Sequence, residues 1–261
     1  ADASVVVMGL QVSRDNKAQY NGTEGEANDR LGVAIPPVQL LLLDAVASAA
    51  KRPVVVVVMA GGPMDLAPLK EDARVGAIVW CGYPGMQGGA AIGELLFGEL
   101  APAGRLPYSI YTAATLDAIN PMRMDMRPDA ADGYPGRTYR FYSGPTPPVY
   151  AFGDGLSYTG FTTAWRDPAA AAESCAATAT ADAPTLARRA AVGAFTRSFG
   201  DDSFAAAVAP RPGDALASFD VVVVNVGAVD SATSVLAFLS PPGAGSEGRP
   251  IESLVGMRKV H

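Results

Sequence analysis

Glu24 and Glu26, followed at once by Asp29 and Arg30, form the densest set of proton-transfer groups in the sequence. They lie in a long polar stretch, residues 11–31, that follows an apolar run. Carboxyl groups held against a substrate serve as general acids, general bases or nucleophiles, and long ordered loops of compact domains are often functional. A solvated acidic loop is the other reading of the same composition. A second candidate is the run Trp80-Cys81-Gly82-Tyr83-Pro84-Gly85-Met86-Gln87-Gly88-Gly89. A helix N-terminus reached through glycines can hold an anion. Here neither dinucleotide nor P-loop spacing is present and no lysine is at hand for phosphate, so close packing of a strand onto a helix is the expected role. The third candidate is the Tyr/Arg-rich run 133–142, continued by residues 152–158. Its side chains suit a sugar or carboxylate site, and equally suit tying a loop down.

The absent residue types narrow the chemistry. The one histidine, His261, is the last residue, so no Ser-His-Asp or Cys-His site can be assembled. Cys81 and Cys175 are far apart and neither belongs to a CxxC pair, which makes a zinc site a poor expectation. The net charge of −6 argues against a nucleic-acid partner, which needs a basic footprint. No apolar run approaches the ~18 residues of a membrane span, and no metal or organic cofactor is implied. What remains is carboxylate chemistry.

Loops of this kind need a rigid floor. Residues 5–8, 54–59 and 77–80 are unbroken apolar runs, each ending near glycine, as strands of a parallel sheet covered on both faces read. Residues 37–50, opened by prolines, and residues 88–97, stopped by Gly98, read as helices between and after them. The alternation predicts an α/β fold with an open, mostly parallel sheet sandwiched by helices. Residues 105–111 are a candidate later strand. From about 165 to 215 the chain is Ala-rich without a clean period, a linker or insertion. Residues 219–226, 235–239 and 251–260 read as short strands of an antiparallel β module. In open α/β sheets ligands sit beyond the carboxyl ends of the strands, which is where residues 11–31 begin.

In order, Glu24-Gly25-Glu26-Ala27-Asn28-Asp29-Arg30, Ala60-Gly61-Gly62-Pro63-Met64-Asp65, Trp80–Gly85, Leu96-Phe97-Gly98 with Gly104-Arg105-Leu106-Pro107, residues 133–142 and residues 153–159 resemble glycoside hydrolase family 3. The nearest likeness is to its plant-type β-xylosidase/α-L-arabinofuranosidase branch. The resemblance divides the chain into the family's C-terminal α/β sandwich domain at 1–163, an Ala-rich linker or insertion at 164–215, and the start of a fibronectin type III-like domain at 216–261. Asp154 stands where the family usually has an aromatic side chain.

The resemblance implies a retaining exo-glycosidase acting on xylosidic or arabinosidic bonds of plant-type cell-wall polysaccharide, in xylan and arabinan catabolism. Its nucleophilic Asp belongs to an N-terminal (β/α)8 barrel that this chain lacks. Its acid/base Glu belongs to the loop after the first sandwich strand. That role falls on Glu24 first and Glu26 second. The partners implied are an oligosaccharide or polysaccharide substrate and the parent chain's barrel, and the implied location is extracellular. The sugar, xylose, arabinose or glucose, stays open. Two carboxyls on one loop approach a sugar from one side, so one acts and the other orients it or binds hydroxyls. The isolated chain is expected to be nearly inert. Asn21-Gly22-Thr23 is a glycosylation sequon whose glycan would obstruct Glu24, so it is expected to stay unused. The alternative is a non-catalytic carbohydrate-binding or interaction fragment. A nucleotide-binding protein is disfavoured because Ala60-Gly61 stand where an acidic residue is needed after the second strand.

Overall fold

The computed structural model describes residues 3–10, 30, 32–117, 119–120, 122–166, 193–197, 203–208 and 218–261. Two compact units divide the chain. The first comprises Ala1–Gly93, Ser109–Met124 and Pro145–Ala151, and the second comprises Glu94–Tyr108, Asp125–Gly144 and Phe152–His261.

Valine runs build the first unit. Strands β1 (Val5–Gly9), β2 (Val54–Met59) and β3 (Val75–Trp80) pair in parallel in the order β1-β2-β3. Parallel neighbours need crossovers, supplied by helix α1 (Pro37–Ala49) between β1 and β2 and helix α2 (Ala67–Glu71) between β2 and β3. Helix α3 (Gly88–Leu96) follows β3. Central β2 has Val54, Val56, Val57 and Val58 at or below 1% exposure, and each such burial is favourable by about 1.5–3 kcal/mol relative to exposure. β1 differs from the two-faced burial its sequence suggests. It is an edge strand of this sheet, and Val5 and Val7 are exposed while Val6 and Met8 are buried. Proline at the N-terminal position starts α1, and Leu43 and Ala47, one turn apart, form its buried face. The short helix α4 (Ala113–Asp117) also belongs to this unit.

The second unit holds helix α5 (Thr138–Phe141) and the antiparallel strands. β4 (Phe161–Trp165), β5 (Gly193–Arg197), β6 (Ser203–Val208) and β7 (Ser218–Asn225) form one sheet in the order β4-β7-β6-β5. β8 (Thr233–Leu239) and β9 (Ser253–Val260) form a two-stranded sheet. The mixed α/β architecture, parallel first and antiparallel later, is the one the sequence predicts. Two local readings differ. Residues 105–111 make no strand, only an isolated bridge between Ile110 and Tyr150, because Pro107 has no N–H to offer a ladder. Strands β5 and β6 fall within 164–215, where the sequence suggests no element; their pairing runs through the Val-rich β7.

Candidate functional site

The carboxyl ends of the three parallel strands make a rim, and the described ends of the acidic stretch are fastened to it. Where β1 stops, the Gln39 side chain brackets Gly9: Oε1 accepts from the Gly9 N–H at 3.0 Å and Nε2 donates to the Gly9 carbonyl at 2.7 Å. Leu10 donates its N–H to the Met59 carbonyl at 3.0 Å, and its own carbonyl accepts from the Tyr83 hydroxyl at 3.3 Å. So Leu10 is held both by the end of β2 and by the run that follows β3. The described residues resume at Arg30, whose guanidinium donates to the carbonyls of Ala34 and Pro63. Pro63 belongs to the loop that leaves β2. Glu24 and Glu26, with Asp29 and the Asn21 sequon, lie outside the described residues.

Asp65, in the same post-β2 loop, was assigned no role from sequence. Its Oδ1 accepts from the Ala67 N–H at 2.9 Å, at the start of α2, and its Oδ2 accepts from the Ala113 N–H at 2.8 Å, at the start of α4. The Asp65 N–H donates to the Val33 carbonyl at 2.7 Å. The readable signal was an aspartate three residues ahead of Pro68, a helix-start pattern. Its bond to Ala113 is long-range and left no trace in local spacing.

The glycine-rich run after β3 does what packing requires. The Cys81 N–H continues the ladder to the Val58 carbonyl at 3.1 Å, and its thiol donates to the same carbonyl at 3.4 Å. Burial pushes that thiol above its ordinary range. The Gly88 N–H donates to Gly85 as α3 begins. Met86, at the tip, is 95% exposed.

The Tyr/Arg run of the second unit ties loops down. Buried Tyr134 donates its hydroxyl to the Asp125 carbonyl at 2.6 Å and accepts from Arg137 Nε at 2.9 Å. Tyr139 stacks on Phe152 with centroids 4.3 Å apart, meets Phe238 edge-on at 5.9 Å, and accepts from the Leu254 N–H at 3.0 Å. The guanidiniums of Arg127 and Arg140 lie 5.5 and 5.3 Å from the Phe141 ring centre. Burial raises the Tyr142 phenol. Within this unit a cleft of about 600 Å³ opens between β4 and β8, with Trp165, Phe161 and Thr163 on one wall, Ser234 on the other, and Arg105 and Asp154 among the remaining lining residues. Among the described residues no three His, Cys, Asp or Glu side chains gather as metal ligands, and no helix is long and apolar enough to cross a membrane.

Residues 1–158 match the glycosyl hydrolase family 3 C-terminal domain. Beta-xylosidase/alpha-L-arabinofuranosidase 2 of Medicago sativa subsp. varia is 44% identical over 161 residues, which is 62% of this chain and 19% of that protein. Beta-D-xylosidase 1 of Arabidopsis thaliana is 37% identical over 262 residues, covering 100% of this chain and 31% of that protein. The chain therefore spans between about a fifth and a third of these relatives. Among solved structures, a GH3 exo-beta-xylosidase (XlnD) in complex with a xylobiose aziridine activity-based probe superposes with a TM-score of 0.70 at 27% identity, over 99% of this chain and 29% of that one. The beta-D-glucoside glucohydrolase of Trichoderma reesei, at 24% identity and TM-score 0.61 over 99% of this chain and 32% of that one, shares the fold.

Proposed function

Since the chain belongs to glycoside hydrolase family 3, we propose that it supplies the acid/base carboxyl of a retaining exo-glycosidase whose nucleophilic Asp stands on an N-terminal barrel of the parent polypeptide. The observation that carries this reading is the anchoring of residues 10 and 30 on the carboxyl rim of the parallel sheet, where an α/β sheet presents its ligands. The names of the relatives, xylosidases and an arabinofuranosidase, favour xylosidic or arabinosidic bonds of cell-wall polysaccharide and an extracellular location.

Glu24 is the proposed proton donor, with Glu26 the second choice. In the first step the barrel's carboxylate attacks the anomeric carbon as the Glu24 carboxyl protonates the departing glycosidic oxygen. A covalent glycosyl-enzyme forms and the aglycone leaves neutral. In the second, the Glu24 carboxylate takes a proton from water, whose oxygen attacks the same carbon and releases the nucleophile. The two carboxyls must stand roughly 5–5.5 Å apart on opposite sides of the reacting bond. Two glutamates on one loop do not satisfy that requirement, which is why the nucleophile is sought elsewhere. We assign residues 1–163 to the sandwich domain, 164–215 to a linker or insertion and 216–261 to a fibronectin type III-like domain, a reading supported by the antiparallel pairing of β8 with β9.

Glu24→Gln in the full-length parent enzyme tests the assignment. Removing a positioned general acid costs ~10²–10⁴ in rate on unactivated oligosaccharides, while 2,4-dinitrophenyl glycosides, which need no protonation, keep their kcat/KM. An equal loss on both substrates rejects Glu24. A second reading, carbohydrate binding without chemistry, is favoured by the cleft beside Trp165, which is 50% exposed. Retention of this chain on insoluble xylan, abolished by Trp165→Ala, would support it.

A further inference from the structure

The run Val5-Val6-Val7-Met8 reads as a strand buried on both faces, yet Val5 and Val7 are 45% and 56% exposed, while Val57, paired with Val7 in β2, is fully buried. Parallel sheets occur almost only with both faces covered. The open edge of β1 runs along the same residues. Leu10 donates to the Met59 carbonyl, and the Ser4 carbonyl accepts from Val55. By the alternation of a parallel ladder the even-numbered residues of β1 therefore bond to β2, and the N–H and C=O groups of Val5, Val7 and Gly9 point outward. At Gly9 the Gln39 carboxamide engages both groups, supplying the acceptor and the donor that a neighbouring strand would. At Val5 and Val7 no described residue takes that place.

Edges that stay single are commonly blunted by charge, proline or a bulge. β1, Val5-Val6-Val7-Met8-Gly9, has no charged residue and no proline, and its register with β2 is unbroken. Within one turn of Gln39, helix α1 adds the exposed side chains of Val38, Leu41 and Leu42. Grouped apolar exposure of this kind marks an interaction surface.

We propose that the outer edge of β1 takes a further parallel strand, supplied by the parent polypeptide from outside residues 1–261, which pairs with Val5 and Val7 and stops short of Gly9 because Gln39 holds that position. The fitting segment is short, extended and uncharged, with β-branched side chains over Val5 and Val7, and its continuation covers Val38, Leu41 and Leu42. A parallel neighbour needs a crossover connection, which the same polypeptide provides. The chain spans 19% and 31% of the two plant relatives, so in those proteins most of the polypeptide lies outside the matched stretch. The proposal rests on the longer parent chain of the proposed function, and not on which residue donates the proton.

Hydrogen exchange resolved to single amides tests it, on the full-length parent and on the 261-residue chain. In the parent the Val5 and Val7 amides should exchange at least about 100-fold more slowly than in the chain alone, and Val6 and Met8, bonded to β2, should be protected in both. Val7→Lys should leave the Tm of the chain alone within about 1 °C and lower that of the parent by about 2 °C or more, because there the ammonium meets an apolar strand. Free exchange of Val5 and Val7 in the parent, or a Val7→Lys parent that melts with the wild type, overturns the proposal. Protection of both amides in the chain alone, together with sedimentation as a dimer, also overturns it and assigns the edge to a second copy. If the chain alone does not fold, the parent's Val5 and Val7 amides, measured against its own Val6 and Met8, decide. No substrate enters either measurement, so failure here leaves the acid/base reading standing, and failure of Glu24→Gln leaves the edge standing.

Discussion

In the first unit four of the six residues of β2 are at or below 1% exposure, whereas in the second unit four of the five residues of β4 are exposed. β2 runs through the middle of a parallel sheet, and β4 is the edge of an antiparallel one. The second unit is fastened instead by side chains, the Tyr139–Phe152–Phe238 cluster and the Tyr134–Arg137 pair. The contrast bears on function. Packed valines make a rigid floor beside Leu10 and Arg30, while a surface of half-exposed strands suits recognition. Leu10 and Arg30, which flank the residues proposed for proton transfer, are hydrogen-bonded to the first kind of structure.

The two tryptophans allow each unit to be read separately, because Trp80 lies in β3 and Trp165 in β4. The largest expected effect is Leu69→Ala. Leu69 is 0% exposed, and such a truncation costs about 2–5 kcal/mol, measured by urea unfolding on Trp80 fluorescence in a Trp165→Phe background. The matched change in the second unit, Leu236→Ala on half-buried β8, should cost about 1–2 kcal/mol on Trp165 in a Trp80→Phe background. Comparable losses would erase the distinction between a packed floor and a fastened surface.

A smaller effect probes the fastening itself. Gly136 has φ +81° in the GYPGR run, and a Cβ there would lie 2.8 Å from the Phe141 carbonyl oxygen and 3.0 Å from that of Met126. Gly133 is also left-handed, φ +65°, but open space surrounds it. Gly136→Ala should therefore cost about 1–3 kcal/mol and Gly133→Ala about 1 kcal/mol, both read on Trp165. Equal costs would mean that the run's tight packing contributes nothing beyond backbone strain.

The same contrast explains what could be read from the sequence. A strand buried on both faces is written as consecutive valines, so β2 was legible to the residue, and prolines and glycines marked the ends of α1 and α3. Strands that gain their order by pairing carry no such mark: the alanines of β6 have little strand preference, and their pairing with β5 and β7 makes them a strand. Of the candidate site, the anchoring rim was legible as strand ends. Asp65 was not, because its partner Ala113 lies 48 residues away. The Tyr/Arg run read as either a site or a tie, and its bonds to Asp125 and Leu254 are ties.

The smallest expected effect asks whether the first unit also depends on charge. Arg74, just before β3, pairs with Asp72 at 2.8 Å and with Asp44 of α1 at 2.9 Å. The hydrogen bond from its side chain, followed by that from its backbone N–H, holds the Asp72 carboxyl below the usual aspartate value, and the pairing pushes the guanidinium further up. A depressed folded-state value means stability that is present above the unfolded aspartate's ordinary range near ~3.9 and is lost as pH falls through the folded value. Asp72→Asn lacks that contribution at every pH. The stability gap between wild type and variant, followed on Trp80, should hold constant above the unfolded aspartate's range near ~3.9 and close as pH falls below it through the lowered folded value. Because the pair lies at the surface, the gap is small and should shrink further in high salt. A gap that ignores pH would show that Asp72 acts only as the hydrogen-bond acceptor of the turn into β3, leaving the first unit's stability to its valine core.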